Sequence, residues 1–199
     1  NGQLLGTFGD LGISSPRKTL KTFSGGGLWL KDRVFLPTTN LSTYPVSMVQ
    51  RIKRSLLDPY PAQKNLIKKA LKNRPQYEDP RALRESVILD YVIDKWTKNI
   101  IEQTDWNQLL KSRQEVFQKW QGFALNNGLT PVFKKLQMEA NPWCFPAYVK
   151  DQKEAIKWFD WGWDHNTQVF SWPSLPEEIL AEQGESLKRW KRLICFGIA

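Results

Sequence analysis

The chain has 199 residues, a formal net charge of +9 and an isoelectric point near 9.6, with 41% hydrophobic and 13% aromatic residues. Ten tryptophans argue against a disordered chain, and no apolar run approaches the roughly 20 residues of a membrane span. The length suits one large domain or two small ones, and the basic balance admits nucleic acid, anionic membrane or phosphorylated ligands as partners.

Residues 1–47 are rich in Gly, Ser, Thr and Pro, with short apolar runs. Leu4-Leu5 and Leu11-Gly12-Ile13 read as short buried strands. Leu28-Trp29-Leu30 and Val34-Phe35-Leu36 read as strands around a turn at Lys31-Asp32-Arg33. Residues 48–125 read as mainly helical. Met48, Ile52 and Leu56 recur every four positions, and Pro59 and Pro61 break that helix. A second helix is expected over about 63–72, and Pro75 and Pro80 bracket a linker. Between Arg51 and Arg74 basic residues alternate with Ile52, Leu56, Leu57, Leu66, Ile67 and Leu71. That pattern is an amphipathic helix with a solvated basic face. A nucleic-acid surface is the competing reading, disfavoured because aromatics are not interleaved with the basic run. A long helical pattern follows through Leu83, Val87, Ile88, Tyr91, Val92, Trp96 and Ile100. Another carries Leu109, Leu110, Val116, Phe117, Trp120 and Phe123, with Gly128 as its stop.

From about Asn126 the pattern changes to a small β-α-β-α-β unit. Phe145–Val149 reads as a strand, and Asp151 with Glu154 has capping-box spacing at the start of a helix through Ile156, Trp158 and Phe159. Gly162 is expected to end that helix. Thr167–Ser171 is the next strand. Ser174 with Glu177 is a second cap, with Pro176 in the first turn of a helix through Leu187 and Trp190. Leu193–Phe196 closes the unit as a strand.

Little of this carries obvious chemistry. His165, the single histidine, has no Cys, His or carboxylate partner at ligand spacing and reads as a loop residue, so no metal site is expected. Trp158, Trp161, Trp163 and Trp172 could stack on bases or sugars, but such a group more often packs a core. Cys144 and Cys195 lie far apart in sequence. They are expected to be reduced thiols of a cytoplasmic protein, with one disulfide left open. Lys18, judged by position alone, reads as a surface lysine. Ser14 and Ser15 before it can offer hydroxyl and N–H groups to a phosphate, or simply form a turn before Pro16. Gly25-Gly26-Gly27 allow positive φ and close backbone approach, and no Walker phosphate loop is formed.

Together, Gly9-Asp10-Leu11-Gly12-Ile13-Ser14-Ser15-Pro16-Arg17-Lys18-Thr19-Leu20 and the following Gly25-Gly26 resemble the cofactor-lysine segment of the DegT/DnrJ/EryC1/StrS aminotransferases. Asn141–Val149, Ser171–Pro176 and Leu193–Phe196 look like that family's small C-terminal domain, and Arg113–Trp120 resembles the helix leading into it. The resemblance implies a pyridoxal 5'-phosphate enzyme of the aspartate-aminotransferase fold (fold type I). It implies that Lys18 holds the cofactor as a Schiff base and shuttles the proton of transamination, and that Ser14 or Ser15 contacts the cofactor phosphate. Gly25 and Gly26 would turn the chain back below the lysine. Asp10 belongs to the Gly-Asp motif and is not the partner of the pyridine nitrogen. That aspartate, like the ring-stacking aromatic, lies upstream of the lysine in the family, and only seventeen residues precede Lys18 here. The family's Gly-Tyr-Asn-x-Arg-like segment is not evident in Thr38–Ser42.

The expected architecture is therefore α/β, the C-terminal portion of such a transferase. Residues 1–47 would be the end of a truncated large pyridoxal-phosphate-binding domain, 48–125 a helical connector and 126–199 a small α/β domain. The expected activity is amino transfer from an amino-acid donor to a keto substrate, such as a nucleotide sugar. The chain is expected to be N-terminally incomplete and inactive alone, with apolar surface exposed where the rest of the large-domain sheet belongs. The complete protein is expected to be a cytoplasmic homodimer with no membrane partner. The alternatives are a non-enzymatic module that binds nucleic acid or another polyanion through its basic helices, and a degenerate aminotransferase-like scaffold.

Overall fold

The computed structural model describes residues 9–20, 22, 24–32, 41–57, 67, 69, 70, 77, 91–172 and 175–198. The segments expected at Leu4-Leu5, Val34–Leu36, Leu83–Ile88 and Ser174 lie outside the described residues, as does most of the basic run from Arg51 to Arg74. The protein is mixed α/β. It forms two compact units, residues 1–58 with 87–105 and residues 59–86 with 106–199, so the segment 48–125 contributes to both.

In the first unit, β1 (Leu11–Ser14) and β2 (Gly27–Leu30) form an antiparallel hairpin. Leu11 pairs with Leu30, Ile13 with Leu28 and Ser14 with Gly27. Side chains alternate across a strand, so Leu11, Ile13, Leu28 and Leu30 share one face. The sequence reads β1 as buried, yet Ile13 is 79% and Leu11 59% exposed, and only Gly12 of this strand is buried. β2 pairs with β1. A surface ion pair from Lys31 to Asp10 lies beside its open end.

The remaining elements of this unit are short. β3 (Ser42–Thr43) runs parallel to β4 (Tyr91–Val92). α1 (Met48–Leu57) starts with a Ser-x-x-Gln capping box. Gln50 N donates to Ser47 Oγ at 3.1 Å, and Ser47 N donates to Gln50 Oε1 at 3.2 Å. Its apolar side chains Met48, Val49 and Ile52 are all exposed. α2 (Lys95–Gln103) begins later than the periodicity through Tyr91 and Val92 suggests. Tyr91, Val92 and Ile93 suit an extended chain. Asp94, extended and acting as N-cap, sets the helix start by accepting from Thr97 N.

The second unit holds α3 (Trp106–Asn126), β5 (Thr130–Pro131), β6 (Cys144–Tyr148), α4 (Gln152–Asp164), β7 (Val169–Phe170), α5 (Glu177–Glu182), α6 (Glu185–Arg192) and β8 (Leu193–Gly197). The sheet order is β5-β6-β8-β7, and every neighbouring pair is antiparallel. Phe145, Ala147, Ile194, Phe196 and Val169 point to one face of this sheet. There they pack with Phe117 and Ala124 of α3 and Ala155 of α4 into the core. Gly128, in the left-handed region at φ +72°, stops α3 as expected. At the start of α4, Glu154 N donates to Asp151 Oδ1 at 2.9 Å, while the Glu154 carboxylate accepts from Lys150 N at 2.7 Å.

Gly162 does not end α4, which runs on to Asp164 with His165 as C-cap. It is buried inside the helix because β7 lies against it. A Cβ there would sit 2.5 Å from Val169 Cγ2, 2.8 Å from Val169 Cβ and 2.9 Å from the Thr167 carbonyl oxygen. Gly162→Ala should therefore destabilise this unit by about 1–3 kcal/mol through overpacking. A lower urea midpoint with an unchanged slope is the expected result, and an unchanged midpoint would show that β7 can simply retreat. The single helix expected before β8 is two, α5 and α6. Gln183, left-handed at φ 50°, and Gly184 interrupt it.

Candidate functional site

The segment singled out by its lysine occupies the long turn of the β1–β2 hairpin. Ser14 ends β1. Ser15 begins a 3-10 turn over Pro16–Lys18, with Pro16 at its first position. Lys18 N donates to the Ser15 carbonyl at 3.1 Å, and Thr19 Oγ1 donates to the Pro16 carbonyl at 3.0 Å. The turn thus brings Ser14, Ser15 and Lys18 within five residues, and all three are exposed. The Ser15 hydroxyl makes no capping bond to this turn.

The glycines do two separate jobs. Gly27 stands opposite Ser14, and a Cβ at Gly27 would collide with the Ser14 hydroxyl. The missing side chain leaves the space that Ser14 Oγ uses. Gly25 has φ +108°, a backbone that glycine adopts freely and other residues rarely do. A Cβ on it would lie 3.3 Å from Thr97 Cγ2, so the turn here runs close against α2.

The sequence reading passed over the group that anchors this turn. Asp94 is 1% exposed. Its carboxylate accepts from Thr97 N at 3.0 Å, from Thr97 Oγ1 at 2.6 Å and from Ser24 Oγ at 3.0 Å. One side chain therefore caps α2 and holds the residue next to Gly25. Burial acts to raise the Asp94 carboxyl, but the hydrogen bonds from Thr97 and Ser24 outweigh it and hold the group below the usual carboxylate range. The signal was present as Asp-x-x-Thr ahead of an apolar helix, masked by a periodicity that ran through it.

No protein-family model matches the chain, and no curated protein matches it.

The other sequence candidates have structural partners. His165 donates through Nδ1 to the Trp161 carbonyl at 2.8 Å and stacks on the Trp161 ring at 4.5 Å. Trp158 and Trp161 pack with Phe123, and Trp158 also meets Phe196. Trp172 meets Trp143 edge-on, and Lys69 Nζ lies 5.8 Å above the Trp163 ring. Among the described residues no cluster of His, Cys, Asp and Glu could hold a metal ion. Among them, too, no helix is long and apolar enough to cross a membrane.

The hairpin turn fits a phosphate-bearing aldehyde cofactor as far as its own residues go. Two serine hydroxyls and a primary amine one 3-10 turn away make a compatible donor set.

Proposed function

We propose that this chain is the C-terminal part of a pyridoxal-phosphate-dependent aminotransferase of the DegT/DnrJ/EryC1/StrS type. The observation that carries the reading is the exposed grouping of Ser14, Ser15 and Lys18 on one anchored hairpin turn. The four-stranded antiparallel sheet of the second unit, with helices between β6 and β7 and between β7 and β8, is compatible with the small domain such enzymes possess. Substrates would be an amino-acid donor and a keto compound, with a nucleotide sugar as the leading class. Exposed Leu11, Ile13 and Leu28 supply an apolar face of the kind the rest of a large-domain sheet would cover. A homodimer is part of the same proposal, and two free thiols support a reducing, cytoplasmic setting.

When bound, pyridoxal phosphate supplies the electron sink for removing a proton from the donor carbon. This chain's own contributions are simpler. Ser14 or Ser15 binds the phosphate through its hydroxyl. Lys18 Nζ would hold the cofactor, and as a free amine would take and return the substrate proton as a general base and acid. Asp94 acts at a distance by fixing the turn, so it is a positioning residue.

The test is reductive trapping on the protein made from its full reading frame. Pyridoxal phosphate is added, borohydride reduces the adduct, and peptide mapping finds the label. A single stoichiometric label on Lys18, lost in Lys18→Ala, is the expected outcome. A scattered label, or none at Lys18 in folded protein, would overturn the proposal.

A further inference from the structure

The second unit carries a site unrelated to the hairpin turn. On the sheet face away from the aromatic core, β6 and β8 floor a cleft of about 870 Å3. Cys144 and Cys195 both line it. The register pairs Cys144 with Gly197 and Pro146 with Cys195, so the two cysteines are diagonal neighbours on the same face. Each thiol bears on the other's protonation. Cys195 is fully buried and Cys144 only partly, so anything entering the cleft meets Cys144 first.

A cation stands behind this pair. Arg113 of α3 is buried and donates through Nε to the Pro142 carbonyl at 2.8 Å and through Nη2 to the Trp143 carbonyl at 3.4 Å. These bonds orient the guanidinium beside Cys144. Among the described residues lining the cleft, the other ionisable groups are Lys135, Tyr148 and Arg189, with no carboxylate. Trp143, Trp172 and Trp190 contribute aromatic walls. An apolar, aromatic-walled space with cations and no anion suits a flat ligand that carries an acidic group.

We propose that Cys144 is a nucleophilic thiol within this cleft, one that exchanges with low-molecular-mass aromatic disulfides bearing an anionic group, and that Cys195 is its positioning residue. The Cys144 sulfur, as thiolate, attacks one sulfur of the disulfide. A Cys144–ligand disulfide forms, the ligand's own sulfur–sulfur bond breaks, and its other sulfur leaves with the electron pair as an aryl thiolate. Cys144 is oxidised and half of the ligand is reduced, so an external thiol reverses the step. The protonation states favour this order. The hydrogen bond from Cys195, aided by the Arg113 charge and opposed by burial, holds the Cys144 thiol below its ordinary range. The Cys195 thiol is pushed up, first by that same hydrogen bond and then by burial, and so keeps its proton.

The experiment treats the intact protein with dithiobis(nitrobenzoate), an aromatic anionic disulfide, and follows thionitrobenzoate release across the neutral pH range. Peptide mapping then locates the adduct. The expected result is fast labelling of Cys144 in folded protein, with a pH midpoint below the roughly 8.5 of an ordinary thiol. Cys195→Ala should raise that midpoint and slow labelling near pH 7 by about tenfold per unit of pKa, while Cys195→Ser keeps a donor and much of the rate. A second equivalent released with the two cysteine peptides cross-linked also supports the proposal, because Cys144 must react first. Labelling that needs denaturant, or an ordinary thiol midpoint at Cys144, would overturn it from the wild-type protein alone. An unmoved midpoint in a folded Cys195→Ala protein would overturn the part assigned to Cys195.

Discussion

Phe196→Ala is expected to cost the second unit about 3–5 kcal/mol, a large share of the 5–15 kcal/mol that typically separates folded from unfolded domains. Phe196 is fully buried on β8, between β6 and β7. Its ring stacks on Trp120 at 4.6 Å and has Phe123, Phe145 and Trp158 within 6.2 Å. Four aromatic neighbours held by three different elements cannot all collapse into the space that a phenyl group leaves, so the cavity term is large. The Trp120 indole is tied at its other end, where Nε1 donates to the Gly197 carbonyl at 3.2 Å, which limits relaxation further. Urea unfolding followed by tryptophan fluorescence reports this directly. Phe196→Leu should recover most of the loss. A deficit below about 1 kcal/mol for the alanine variant would mean that the aromatic cluster repacks freely.

Asp94→Ala is the second large change, and it falls on the first unit. Removing the carboxylate leaves Thr97 N, Thr97 Oγ1 and Ser24 Oγ without their shared acceptor. Losing a buried cap of this kind costs about 2–3 kcal/mol. Its pH dependence has a fixed sign. Because the folded carboxyl titrates below the usual carboxylate value, its contribution is complete above that value, about pH 3.9. It is lost as pH falls through the lower folded value. Wild type and Asp94→Asn should therefore differ in stability near neutral pH and converge in acid. Amide exchange at Thr97 and Lys98 gives the local measurement, since both amides bond to Asp94. A difference that stays constant from neutral pH to strong acid would show that the charge itself contributes nothing.

These two positions also show what could be read without coordinates. The second unit was legible because its elements carry several agreeing signals. Asp151 with Glu154, Gly128 after an apolar stripe, and apolar runs at Phe145 and Leu193 each mark an element, and each element is present. The failures arise where a local pattern has two physical meanings. Gly162 reads as a helix stop, yet its lack of a side chain serves the close approach of Val169. Tyr91 and Val92 fit a helical period, yet their shapes suit β4 and Asp94 resets the helix. Leu11 and Ile13 are apolar and were read as buried, but no periodicity says what will cover them.

The candidate site was legible only in part. Ser14, Ser15 and Lys18 lie close in sequence, and one turn groups them. Asp94, which anchors that turn, is seventy residues from Ser24, a separation no local pattern reports. The cysteines are a sharper case. Cys144 and Cys195 look unrelated along the chain, and only the pairing of β6 with β8 makes them neighbours.

That pairing has a consequence for synthesis on the ribosome. β8 follows β6 and β7 in the chain, yet it lies between them in the sheet. Among the described strands, β7 has no hydrogen-bonding neighbour and β6 has only the two-residue β5 until Leu193–Gly197 has emerged. The nascent polypeptide must therefore carry two open strand edges and the Trp120–Phe123–Phe145 surface until β8 is inserted, and so is prone to mispairing. A chain cut just before Leu193 would lose the spine of its sheet, not a fringe.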